Sequence, residues 1–68
     1  MKETVEVKDG VFSMSLEENG HVVSACPQDM NWIKYMLVTH GVDMEADIRN
    51  ILKYEMQEKQ KHESNNEN

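Results

Sequence analysis

The sequence predicts an α+β domain, a three-stranded antiparallel β-meander followed by two α-helices. Two observations predict it. Apolar residues alternate as far as Cys26-Pro27 and beyond it recur every three or four residues, a change from the period of a strand to that of a helix. Two turn signals, Asp9-Gly10 and Asn19-Gly20, interrupt the alternating half. Each signal independently puts the larger apolar side chains on one face.

The first run is Thr4-Val5-Glu6-Val7-Lys8 and the second is Val11-Phe12-Ser13-Met14-Ser15-Leu16-Glu17. A two-residue loop at Asp9-Gly10 pairs Lys8 with Val11, Val7 with Phe12 and Val5 with Met14, leaving Thr4, Glu6, Ser13 and Ser15 on the opposite face. The same loop length at Asn19-Gly20 pairs Leu16 with Val23 and Met14 with Ala25. The meander therefore covers residues 3–26. The third strand, His21-Val22-Val23-Ser24-Ala25-Cys26, has apolar residues on both faces, as suits a strand covered twice or lying in a dimer interface.

Pro27 suits the first position of a helix because its missing N–H costs nothing there, with Asp29 as the alternative cap. Met30, Ile33, Met36, Leu37 and His40 follow at helical spacing, and Gly41 stops the run. Asp43 is the cap expected for the second helix, with a seam of Met44, Ile48, Ile51, Leu52 and Met56 and supporting pairs Glu45–Arg49 and Glu55–Lys59. That helix is expected to fray near Lys61. Residues 1–61 thus form a single small domain, and the polar residues 62–68 are expected to be a disordered tail.

In a chain of 68 residues the core is small enough to gain from a second copy, so a homodimer is expected. Thirteen acidic residues against seven basic ones give a formal charge of −6, which opposes nucleic-acid binding unless the cations gather on one face. One cysteine cannot close an internal disulfide, and Cys26 reads as a small buried apolar group. No apolar run has the length of a signal peptide or of a membrane span. The expected location is the cytoplasm.

No constellation supports catalysis, a metal or a cofactor. His21, Cys26, His40 and His62 have no zinc-like spacing, and Gly10, Gly20 and Gly41 are isolated turn or helix-end glycines rather than a phosphate-cradling loop. The protein is therefore expected not to be an enzyme. Of the six methionines, Met14, Met30, Met36, Met44 and Met56 fall on core-facing positions.

From His21 to Met56 the chain resembles the ribbon-helix-helix proteins. Val22-Val23-Ser24-Ala25-Cys26-Pro27-Gln28-Asp29-Met30 is similar to the family's strand followed by a proline and an acidic first turn. Ile33, Met36 and Leu37 precede Gly41 at the family's core spacing, and Ile48-Arg49 with Ile51-Leu52 match its second helix. The resemblance implies an intertwined dimer that reads the DNA major groove with paired strands. It would place His21, Val23 and Ala25 toward bases and Lys34, Arg49 and Lys53 on phosphates. Base readout calls for Arg, Lys, Asn, Gln or Thr, and of the three strand positions only His21 is polar. The hairpin registers assign Val23 and Ala25 instead to the apolar face.

Two functional expectations follow. The leading one is a small acidic regulatory protein acting by protein–protein contact, of the antirepressor, inhibitor or antitoxin type found in phages and other mobile elements. Trp32 and Tyr35 would anchor a partner or lie in the dimer interface. Glu45, Asp47, Glu55 and Glu58 would meet a basic partner, such as a protein that normally holds nucleic acid. The alternative is a dimeric ribbon-helix-helix repressor.

Overall fold

The computed structural model describes residues 1–66, with side chains through residue 62. Strands β1 (Lys2–Lys8), β2 (Val11–Glu18), β3 (His21–Ser24) and β4 (Gln28–Asp29) are followed by helices α1 (Met30–His40) and α2 (Met44–Asn66). This is the expected α+β order.

Both hairpin registers are those the turn signals predict. Val5 pairs with Met14, Val7 with Phe12 and Lys8 with Val11, and Leu16 pairs with Val23. Asp9 and Gly10 have φ of 52° and 74°, and Asn19 and Gly20 have φ of 53° and 81°. Two successive left-handed residues match the right-handed twist of the flanking strands, which is why Asp-Gly and Asn-Gly close these loops. The strand order is β1-β2-β3, with β4 also pairing to β2.

Pro27 does not start a helix. Ser24 pairs with Ser15 in β3, whereas Gln28 pairs with Phe12 in β4, so Ala25, Cys26 and Pro27 lie opposite only Ser13 and Met14. That extra residue is a β-bulge, a place where a proline without an N–H is tolerated. The Ala25 N–H still donates to the Met14 carbonyl at 3.0 Å. Met14 and Ala25 are therefore bonded as the second turn signal predicts.

Asp29 is the cap of α1, its carboxylate accepting the Asn31 N–H at 2.8 Å. Gly41 ends the helix at φ 68°, with its N–H on the Leu37 carbonyl and the Val42 N–H on the Met36 carbonyl, both at 3.0 Å. This paired arrangement satisfies two carbonyls the helix end leaves open. Asp43 caps α2 through the Ala46 N–H at 3.1 Å. The helix continues to Asn66, beyond the end expected near Lys61. The tail expected over 62–68 falls largely outside the residues with described side chains, and residues 67–68 lie outside the described residues altogether.

Among the described residues the buried core is Phe12, Met14, Leu16 and Val23 from the sheet with Ile48, Leu52 and Met56 from α2. Ala25, Met30 and Ile33 pack against its margin. Four expectations about burial need correction. Val5 and Val7 share the face of Met14 and Phe12 yet are 41% and 56% exposed, because β1 projects past the helical layer. Ile51, expected in the seam, is 56% exposed on the flank of α2. Cys26, expected to be buried, is exposed because the bulge pushes it outward. Met30, Met36 and Met44 are only half-buried.

Candidate protein-binding surfaces

Helix α1 has the sequence MNWIKYMLVTH, and none of its residues is buried. Met30 and Ile33 rest on the core margin and Met36 is half-buried, while the other apolar residues of the helix are exposed. Trp32 and Tyr35 are 47% and 48% exposed, with Leu37 at 55% and Val38 at 84%. Three residues apart on one helix, Trp32 and Tyr35 stack with ring centroids 5.7 Å apart at 24°. Tyr35 in turn meets the His40 ring edge-on at 5.3 Å. The stack preorganises both rings, lowering the entropy lost when a partner covers them.

The four acidic residues expected to form one surface separate into two. Glu45 is held by Arg49 Nη2 at 3.0 Å on the flank facing β1. At 3.6 residues per turn Asp47 lies on nearly the opposite side, in line with Ile51, Glu55 and Glu58. Asp47 and Glu55 are exposed and Glu58 is half-buried. Lys59, expected to pair with Glu55, donates to the Val22 carbonyl at 2.9 Å.

The residues of the groove-reading alternative are differently placed. Val23 is 8% exposed and Ala25 packs on the core, both facing the helices. His21 is half-buried at the start of β3. Arg49 is committed to Glu3 through Nε at 2.6 Å and to Glu45. These hydrogen bonds push its pKa further above its ordinary value and hold the Glu3 carboxyl below the usual carboxylate range. Lys53 lies near Glu3 on the same flank, and Lys34 is exposed on α1.

The bulge creates a feature that sequence reasoning missed. Between it and α2 runs a groove of about 240 Å³ lined by Ala25, Cys26, Gln28, Ile51, Leu52 and Glu55, among others. The signal for it was Pro27 read as a strand irregularity rather than as a helix start. On the opposite face of the sheet a shallow depression is lined by Thr4, Glu6, Ser13, Ser15 and Ser24. Among the described residues no group of three His, Cys, Asp or Glu side chains could hold a metal ion. No helix among them is long and apolar enough to cross a membrane. Compared with protein-family models, curated proteins and solved structures, the chain matches none.

Proposed function

We propose that the protein is a small, non-enzymatic, cytoplasmic regulatory module that works by protein–protein contact, of the antirepressor, inhibitor or antitoxin kind carried by phages and mobile elements. The observation that carries this reading is α1, apolar at seven of its eleven positions and buried at none. A helix of that composition is ordinarily covered on all sides, and one so short is marginal in water without cover. Trp32 and Tyr35 have the residue type and rigidity of interface anchors.

A homodimer belongs to the same reading. Trp32, Tyr35, Leu37 and Val38 are all exposed on one short helix, an apolar surface that a second copy would cover. Helix α1 contains no Asp or Glu, so two copies of charge −6 can meet on it with little repulsion. The acidic flank of α2 then remains for a basic partner.

The test is light scattering across a concentration series, followed by capture from host lysate with wild type and Trp32→Ala. A dimer that dissociates in Trp32→Ala at least about tenfold more readily, with a partner retained only by wild type, is expected. A chain that is monomeric throughout, with both proteins retaining the same material, would remove the reading.

A dimeric ribbon-helix-helix DNA-binding repressor is the second reading, favoured by the strand-helix-helix order between residues 21 and 56. The burial of Val23 and the engagement of Arg49 weigh against it. A mobility shift at low salt, where counterion release most favours binding, tests it directly.

A further inference from the structure

We propose that the groove between α2 and the β3–β4 bulge seats a basic amphipathic helix of a partner protein, an inference that rests on the protein-contact reading above. The apolar part of the groove is lined by Ala25, Ile48 and Leu52. Ile51 lines it with 56% of its surface exposed. Asp47, Ile51, Glu55 and Glu58 recur at intervals of four, four and three, which puts them on one helical stripe. An aliphatic residue flanked by acids on a shallow groove is the complement of a helix with leucine-like residues at i, i+3 and i+4 and lysines or arginines beside them.

Three observations select this occupant. Glu55 on the groove wall, with Asp47 and Glu58 on the same helical stripe beside it, repels nucleic acid and also a second copy of a chain with charge −6. The volume of about 240 Å³ is below the roughly 300–1,000 Å³ of small-molecule sites, yet admits an aliphatic side chain from a docked helix. Glu45 and Glu3 are tied to Arg49 on the other flank, so the acidic groups of this stripe are a separate surface.

Cys26 lines the groove and is exposed, which makes it a reporter. The probe is a fluorescein-labelled helical peptide with leucines at i, i+3, i+4 and i+7 and lysines elsewhere. Two control peptides replace its lysines with glutamate or its leucines with serine. The leucine-lysine peptide should bind by anisotropy and slow alkylation of Cys26. Ile51→Ala should weaken binding about tenfold or more, a change that an exposed side chain allows without unfolding, as circular dichroism would verify. Asp47→Asn with Glu55→Gln should weaken it further and flatten its salt dependence.

Equal binding of the serine-for-leucine peptide would mean charge attraction alone and overturn the proposal. Unchanged affinity in Ile51→Ala, or unchanged Cys26 alkylation in the complex, would also overturn it. The α1 reading is tested apart from this by the Trp32-dependent self-association, which needs no peptide.

Discussion

Arg49 grips Glu3 across 46 residues of sequence, donating from Nε to one carboxylate oxygen at 2.6 Å and from Nη2 to the other at 3.2 Å. Such a two-pronged bond fixes direction as well as distance, and it ties the exposed strand β1 to α2. Glu3 titrates below its unfolded value, chiefly through this hydrogen bond. Its contribution is therefore present above the unfolded carboxylate pKa and is lost as pH falls through the folded one. Glu3→Gln should leave stability at low pH nearly unchanged and lower it near neutrality, flattening the acid limb of a thermal-melt series. Amides of β1 should exchange faster in the variant while those of β2 stay protected. A full-amplitude acid limb in Glu3→Gln would show that other carboxylates govern acid unfolding.

Leu52 and Ile51 are adjacent in sequence and opposite in consequence. Leu52 is 1% exposed in a core of seven side chains, whereas Ile51 is 56% exposed. Leu52→Ala should cost about 2–5 kcal/mol, against a total stability of roughly 3–10 kcal/mol for a domain of this length. Much of that variant should be unfolded at 37 °C. Ile51→Ala should move the melting temperature little. Similar melting temperatures for the two variants would mean that the core is not centred on Leu52.

Which parts of this fold can be read from residue order follows from the range of the forces involved. Asp9-Gly10 and Asn19-Gly20 set pairing locally, so the registers of Val5 with Met14 and Leu16 with Val23 were legible. The caps Asp43 and Gly41 were legible for the same reason. Pro27 was not, because a proline two residues before Asp29 reads equally as a helix start or as a bulge until its pairing partners are known. The groove depends on that bulge, and so it stayed hidden. Glu3–Arg49 and Lys59–Val22 join distant segments with no local signature. Ile51 misled for a different reason: its spacing fits a broad apolar stripe, but it lies about 100° round α2 from Leu52, off the buried line of Ile48, Leu52 and Met56. Val5 and Val7 misled because sharing a sheet face with Met14 and Phe12 does not put a helix over them.

Helix α1 depends on its ends more than α2 does, since it has no buried residue to hold it. Asp29→Ala removes the acceptor of the Asn31 N–H, a loss of about 1 kcal/mol for a typical cap. Gly41→Ala forces a side chain into φ 68° at a cost of about 1–2 kcal/mol. Each should lower α1 amide protection well before it lowers the global melting temperature. Asp43→Ala, which uncaps a helix anchored by Ile48, Leu52 and Met56, should instead lower global stability with α1 and α2 responding together. Equal local effects in all three variants would mean that α1 folds as one unit with the core.

Lys59 guards an exposed sheet edge. In the strand order β1-β2-β3 the outer side of β3 is an edge, and there the Val22 carbonyl accepts a hydrogen bond from Lys59 Nζ at 2.9 Å. A strand edge with open backbone groups is a template for another chain, and a lysine laid over it opposes that pairing by charge and by occupying the acceptor. Val22 itself is 48% exposed, so the edge is also apolar. Lys59→Met should retain the far-ultraviolet spectrum and melting temperature within a small margin, because no core contact is lost. Its turbidity and thioflavin fluorescence at high concentration should nevertheless rise faster than those of wild type. Lys53→Met removes a charge of the same sign from the flank of α2 near Glu3 and serves as the control. If both variants aggregate alike, net charge rather than the capped carbonyl is what keeps the edge from pairing.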